Sequence, residues 1–176
     1  MNPASYPVPP PRLLPDWPLP AYAHIPGKTP HPISDPRGHS FGAGRPVVDV
    51  LDPEHWQACP SYLYGLDLFN HGYYWEAHET WEALWHACKR TGPLADFLKA
   101  LIKLAAAGVK AGEGKLVGVK THATRAVDLW RRLAEAVPEG KHVVLGLRIR
   151  DLIGLADAVA QTGWPANSPW LLPVLP

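Results

Sequence analysis

Residues 75–86 read WEAHETWEALWH, with three glutamates, two histidines and three tryptophans in twelve positions. Set out at about 100° per residue, the run and its flanks sort into two arcs of one helix. Tyr73, Tyr74, Ala77, Trp81, Leu84, Trp85 and Cys88 share an apolar side. Trp75, His78, Glu79, Glu82 and His86 lie opposite, with Glu76 and Ala83 at the edge. An amphipathic helix with a solvated face accounts for most of this pattern. Trp75 does not fit it, because a tryptophan amid charges calls for a cover from elsewhere in the chain. A cover would also desolvate the neighbouring carboxylates and imidazoles and open their pKa values to shifts.

The flanking sequence extends the helical reading. SYLYGLDLFN, residues 61–70, predicts a short helix closed by Asn70, His71 and Gly72, followed by one over 73–89 with Lys89 and Arg90 at its negative end. TGP stops that helix, and Pro93 suits the first turn of a third running to about Ala111. GEG separates it from a fourth over 115–137, and a fifth is expected over 147–161. HVVLGL at 142–147 is the one run with any strand character. The fold class is therefore all-α, a small bundle of four to five helices. Three segments are expected: a proline-rich, largely irregular arm over 1–60, the bundle over 61–162, and a proline-rich tail over 163–176.

Fifteen of the 21 prolines fall in the first 60 residues, which bars regular helix there. Yet Tyr6, Trp17, Tyr22, Phe41 and Trp56 are poor choices for a solvated tail, and they predict an arm that packs on the body. The net charge of +1 argues against general nucleic-acid binding. Cys59 and Cys88, without CxxC spacing, read as free thiols in a reducing compartment. The start of the chain lacks a signal-peptide pattern, and LIKLAAAGVK at 101–110 is too short and too charged for a membrane span. A soluble, cytoplasmic protein is expected.

The polar arc carries the candidate chemistry. His78 and Glu82 are four residues apart, as are Glu82 and His86, so either pair can chelate one ion from successive turns. His78 and His86 are separated by about 12 Å of rise, so all three cannot share one ion through metal bonds of about 2 Å. The rest of a site must come from elsewhere. His122 projects into the apolar arc of the fourth helix with Arg125 at its border, and it needs a partner such as a glutamate of the second helix. His31 and His39 in PHPISDPRGHS either serve local turns or complete a His/carboxylate pocket. Candidate metal ligands are thus His78, Glu82, His86, His122, His31 and His39, for a divalent ion.

FNHGYYWEAHETWEALW followed by FLKALIKLAAAGVK resembles domain-of-unknown-function family 309 over about residues 61–135. Phe69, Asn70, Gly72, Glu76, His78, Glu79, Glu82 and Trp85 fall on its motif positions, whereas Lys103 stands where similar proteins often have glutamine. The resemblance implies an intracellular all-α bundle and names no reaction. Two functions follow as expectations. One is a binding or structural module in which Asn70, Glu76, His78, Glu79, Glu82 and His122 form a polar network or ligand site, open to a protein partner or a small polar ligand. The other is a metal-assisted hydrolase with Glu76 or Glu79 as general base.

Overall fold

A computed structural model describes residues 10–44, 48, 50–138, 142–165, 172 and 174. The arm residues 1–9, Tyr6 among them, and most of the tail beyond 165 lie outside the described residues. Five helices carry the fold: α1 (Pro60–Asn70), α2 (Tyr74–Ala87), α3 (Pro93–Gly112), α4 (Leu116–Ala136) and α5 (Ile149–Thr162). A 3-10 turn at Trp56–Ala58 precedes them. The all-α reading holds, and each helix packs on its predecessor, through short connections up to α4 and through a hairpin-bearing segment between α4 and α5. Gly65 of α1 lies under Trp81 of α2, Phe97 of α3 meets Trp130 of α4, and Arg131 of α4 meets Asp157 of α5.

Helix ends follow from local chemistry. Gly72 at φ 85° lets the chain leave α1, with Tyr73 N–H bonded back to the Leu68 carbonyl. Helix α2 stops at Ala87, two residues short of the expected end, because Lys89 and Arg90 adopt left-handed backbone and Arg90 N–H turns back to the Trp85 carbonyl. Pro93 opens α3 as expected, after Gly92 at φ 88°. Between α3 and α4, the buried Glu113 side chain takes both Lys110 and Lys115, whose hydrogen bonds hold its carboxyl below the usual range.

HVVLGL forms a two-stranded hairpin, β1 (Val143–Val144) with β2 (Leu147–Arg148), so the fifth helix begins two residues later than its periodicity suggests. Leu145 and Gly146 both have positive φ, as a tight hairpin turn requires. The buried Leu145 carbonyl accepts the Tyr62 hydroxyl at 2.9 Å, which ties the hairpin to α1.

The core is built on α3, whose Phe97, Leu98, Leu101, Leu104 and Ala105 are fully buried between α2 and α4. Ala107 and Gly108 keep its C-terminal half thin. A side-chain carbon at Gly108 would lie 2.5 Å from the Tyr74 ring, so only glycine admits α2 at this distance. Tryptophans 81 and 130 fill the larger spaces on either side, and both are fully buried.

The arm lies on this body through specific polar contacts. The backbone N–H groups of Leu13 and Leu14 donate to the two carboxylate oxygens of Asp67 at 2.7 and 2.9 Å, with Arg12 alongside. The Tyr64 hydroxyl donates to the Pro18 carbonyl, and Lys28 donates to the last carbonyl of α3 at Gly112. Of the arm's large side chains, Tyr22 and Trp56 are half-buried, whereas Trp17 and Phe41 are exposed. Among the described residues no helix is long and apolar enough to cross a membrane.

Candidate functional site

The polar arc of α2 is divided between two environments. Glu76 starts the helix and turns towards the arm, where it is 6% exposed. Its Oε1 accepts the His24 backbone N–H at 2.8 Å and the His39 Nε2–H at 3.0 Å, while its buried Oε2 has no partner among the described residues. Trp75 beside it is covered, as its position demanded, by the edges of His24 and His31 at ring separations of 5.0 and 5.4 Å. His39 also meets the Ser40 hydroxyl through Nδ1, so both its nitrogens are engaged. His31 Nδ1 accepts from the N–H groups of Ile33 and Ser34, which puts its ring proton on Nε2 and leaves no free lone pair. The arm histidines thus serve the clasp and the local turn.

One turn further along, His78, Glu79 and Glu82 converge. Each offers one donor atom, these atoms lie within 4.8 Å of one another, and all three residues are half-buried. His78 Nδ1 contacts the Ile102 carbonyl of α3 at 3.3 Å. Since a carbonyl only accepts, Nδ1 carries the proton and Nε2 the lone pair. Such an orienting bond to a backbone carbonyl is the usual companion of a metal-bound imidazole. Glu79 has no hydrogen bond among the described residues. Burial pushes its carboxyl above the usual range, His78 works the other way, and Glu82 and then Glu76 add repulsion. A desolvated carboxylate between two others lacks positive charge.

The remaining candidates are dispersed. His86 is exposed at the end of α2 against the Trp85 ring and is not in the convergent group. Asn70 pairs with the tail, accepting the Leu172 N–H at 2.7 Å and donating to the Leu172 carbonyl at 3.4 Å. His122 on α4 is half-buried, and its Nδ1 is sealed from solvent; among the described residues it has no partner and the expected bond to a glutamate is not made. Burial lowers its pKa, and the charges of Lys103, Arg125, Lys110 and His78 lower it further, which sets His122 in the same electrostatic neighbourhood as His78. Among the described residues no single hydrogen-bond network joins the six. Sequence reasoning passed over Asp67 and His24, which hold the arm; the lone acid within the apolar SYLYGLDLFN was the available signal for Asp67.

Fold and site define a small helical-bundle protein with a His/carboxylate cluster on its second helix and a polar clasp for its N-terminal arm. Residues 62–121, from α1 into α4, match the family described as Domain of unknown function (DUF309). No curated protein matches the chain.

Proposed function

We propose that the protein is a binding module that takes a divalent cation on α2, with His78, Glu79 and Glu82 as ligands. The carrying observation is the convergence of one imidazole and two carboxylates within 4.8 Å, with His78 already oriented by Ile102. Donors around one ion sit about 3–4 Å apart when each bond is about 2.1 Å, so small rotations of these half-buried side chains close the set. A cation would also offset the burial, and the lesser repulsion from Glu82 and Glu76, that raise the Glu79 carboxyl. Mixed imidazole and carboxylate ligation suits ions such as Mn²⁺ or Zn²⁺.

Hydrolysis would require an ion-bound water and a base. Of the two glutamates with that chemistry, Glu76 is buried and bonded to the arm. Glu79 is the remaining carboxylate, and as a ligand it would position the ion.

Calorimetric titration of Mn²⁺ and Zn²⁺ into the full chain, with elemental analysis, tests this reading. One equivalent is expected to bind to the wild type, with loss of binding in correctly folded His78→Ala and Glu79→Gln. Folded wild-type protein that takes up neither ion would refute the proposal.

A further inference from the structure

The lysine stripe of α3 has three different fates. Lys110 is paired with Glu113 at 2.6 Å, and Lys99 lies 5.7 Å over the Trp85 ring. Lys103 is half-buried and has no ion pair or hydrogen bond among the described residues. It directly follows Ile102, the residue whose carbonyl holds His78. Gly118 of α4 lies against the Lys110 side chain and Trp130 against Phe97, so α4 runs antiparallel to α3. Lys103 thus lies level with the turn from His122 to Arg125, and Arg125 is exposed and equally unpaired among the described residues. The charges of Lys103 and Arg125 both bear on the His122 ring.

His122 supplies a direction. Its Nδ1 is sealed from solvent without a partner among the described residues, whereas Nε2 is not sealed in this way. An unsatisfied buried acceptor is tolerated better than a buried N–H, which places the proton of the neutral ring on Nε2. The face between α3 and α4 thus offers one lysine, one guanidinium and one imidazole N–H, none of them bonded to a protein acceptor among the described residues. Beside it, reached through His78, lies the carboxylate-rich cluster. A cation held by acids and flanked by unpaired donors is an arrangement suited to a multiply charged oxyanion.

We propose that the two sets form one site, in which a phosphoryl group bridges the divalent ion at His78, Glu79 and Glu82 and the donors Lys103, His122 and Arg125. This inference rests on the cation reading given above. A phosphoryl group has oxygens enough to meet the ion and the donors together, and a charge near two at neutral pH to match them. Lys110 is already engaged by Glu113, which it shares with Lys115, and so is not a free donor.

The test is phosphorus NMR of inorganic phosphate and of phenyl phosphate with the full chain, with and without Mn²⁺, beside calorimetric Mn²⁺ titration of each variant. Protein-bound Mn²⁺ is expected to broaden the phosphorus signal and to tighten phosphate binding about tenfold, the scale of one charge-assisted hydrogen bond. Lys103→Gln and the exposed Arg125→Gln should each weaken phosphate binding by about the same factor without weakening the binding of Mn²⁺ in the absence of phosphate. Stronger binding of phenyl phosphate would assign an esterified ligand, and equal or weaker binding free phosphate; either supports the site. If Mn²⁺ binds but phosphate is not broadened, or if both variants bind phosphate like the wild type, the bridging proposal is wrong and the cation reading stands. If Mn²⁺ does not bind, both fall.

Discussion

Glu76 and Glu79 lie one helical turn apart and do opposite things. Glu76 is buried but accepts two hydrogen bonds through one oxygen, which stabilises its place against the arm. Glu79 is half-buried and has no such partner, so its ionisation is resisted. The linkage sign follows. A carboxyl raised above its ordinary value of 4.5 binds more protons folded than unfolded, so its contribution to stability falls as pH rises from 4.5 through the raised value. Glu79→Gln should therefore gain on the wild type over that interval and hold the gain above it. Urea midpoints of the two proteins without metal check this, and a gain that is the same throughout the acid range would show that Glu79 is not strained. Divalent cation should narrow the difference by favouring the wild type.

At the scale of elements, the amphipathic pattern of α2 was legible because it is local. Trp81 and Leu84 are fully buried as their arc required, and the need of Trp75 for a cover was readable from its position among charges. The helix ends were read to within two residues, and the errors have physical causes: left-handed Lys89 and Arg90 shorten α2, and a tight turn through Leu145 and Gly146 holds back α5. His24 was not legible as part of the cover, since 52 residues of chain separate it from Glu76, whereas His39, read as a candidate for a His/carboxylate pocket, does reach Glu76. The arm should behave as an element fastened at Asp67 and Glu76. Asp67→Ala combined with Glu76→Ala removes the acceptors for four arm donors, each such bond contributing about 1 kcal/mol. Hydrogen exchange should then accelerate over residues 13–24 while α3 keeps its protection. Unchanged exchange in the arm would mean that apolar contacts alone hold it.

For the whole molecule, acid is the condition that loads these contacts. Burial is the first cause of the lowered pKa of both His24 and His122, followed by the charge of His31 in one case and of Lys103 in the other. Each is bound neutral in the folded state more readily than in the unfolded chain. Their contribution is complete above the ordinary value of 6.5 and is lost as pH falls from there through their lowered values. Through these two rings the chain should lose stability to urea between about pH 7.5 and about pH 5.5, against the opposite contributions of His55 and Glu79, whose pKa values are raised. His24→Gln and His122→Gln should each flatten that dependence, and slopes identical to the wild type would exclude these two rings as its source.

Helix number, the two-sided character of α2 and the position of its carboxylates and imidazoles come from the sequence alone, because helical period and capping act over three or four residues. The division of one polar face into an arm clasp at Glu76 and a convergent cluster at His78, Glu79 and Glu82 came only from the tertiary structure. So did the separation of Asn70 and His86 from that cluster. Desolvation and charge proximity depend on what packs over a residue, and the segments that do so here are distant in the chain. Spacing placed the ligand chemistry on one helix; only packing assigned the arm to Glu76, α3 to His78 and the unpaired Lys103 to the face shared with His122.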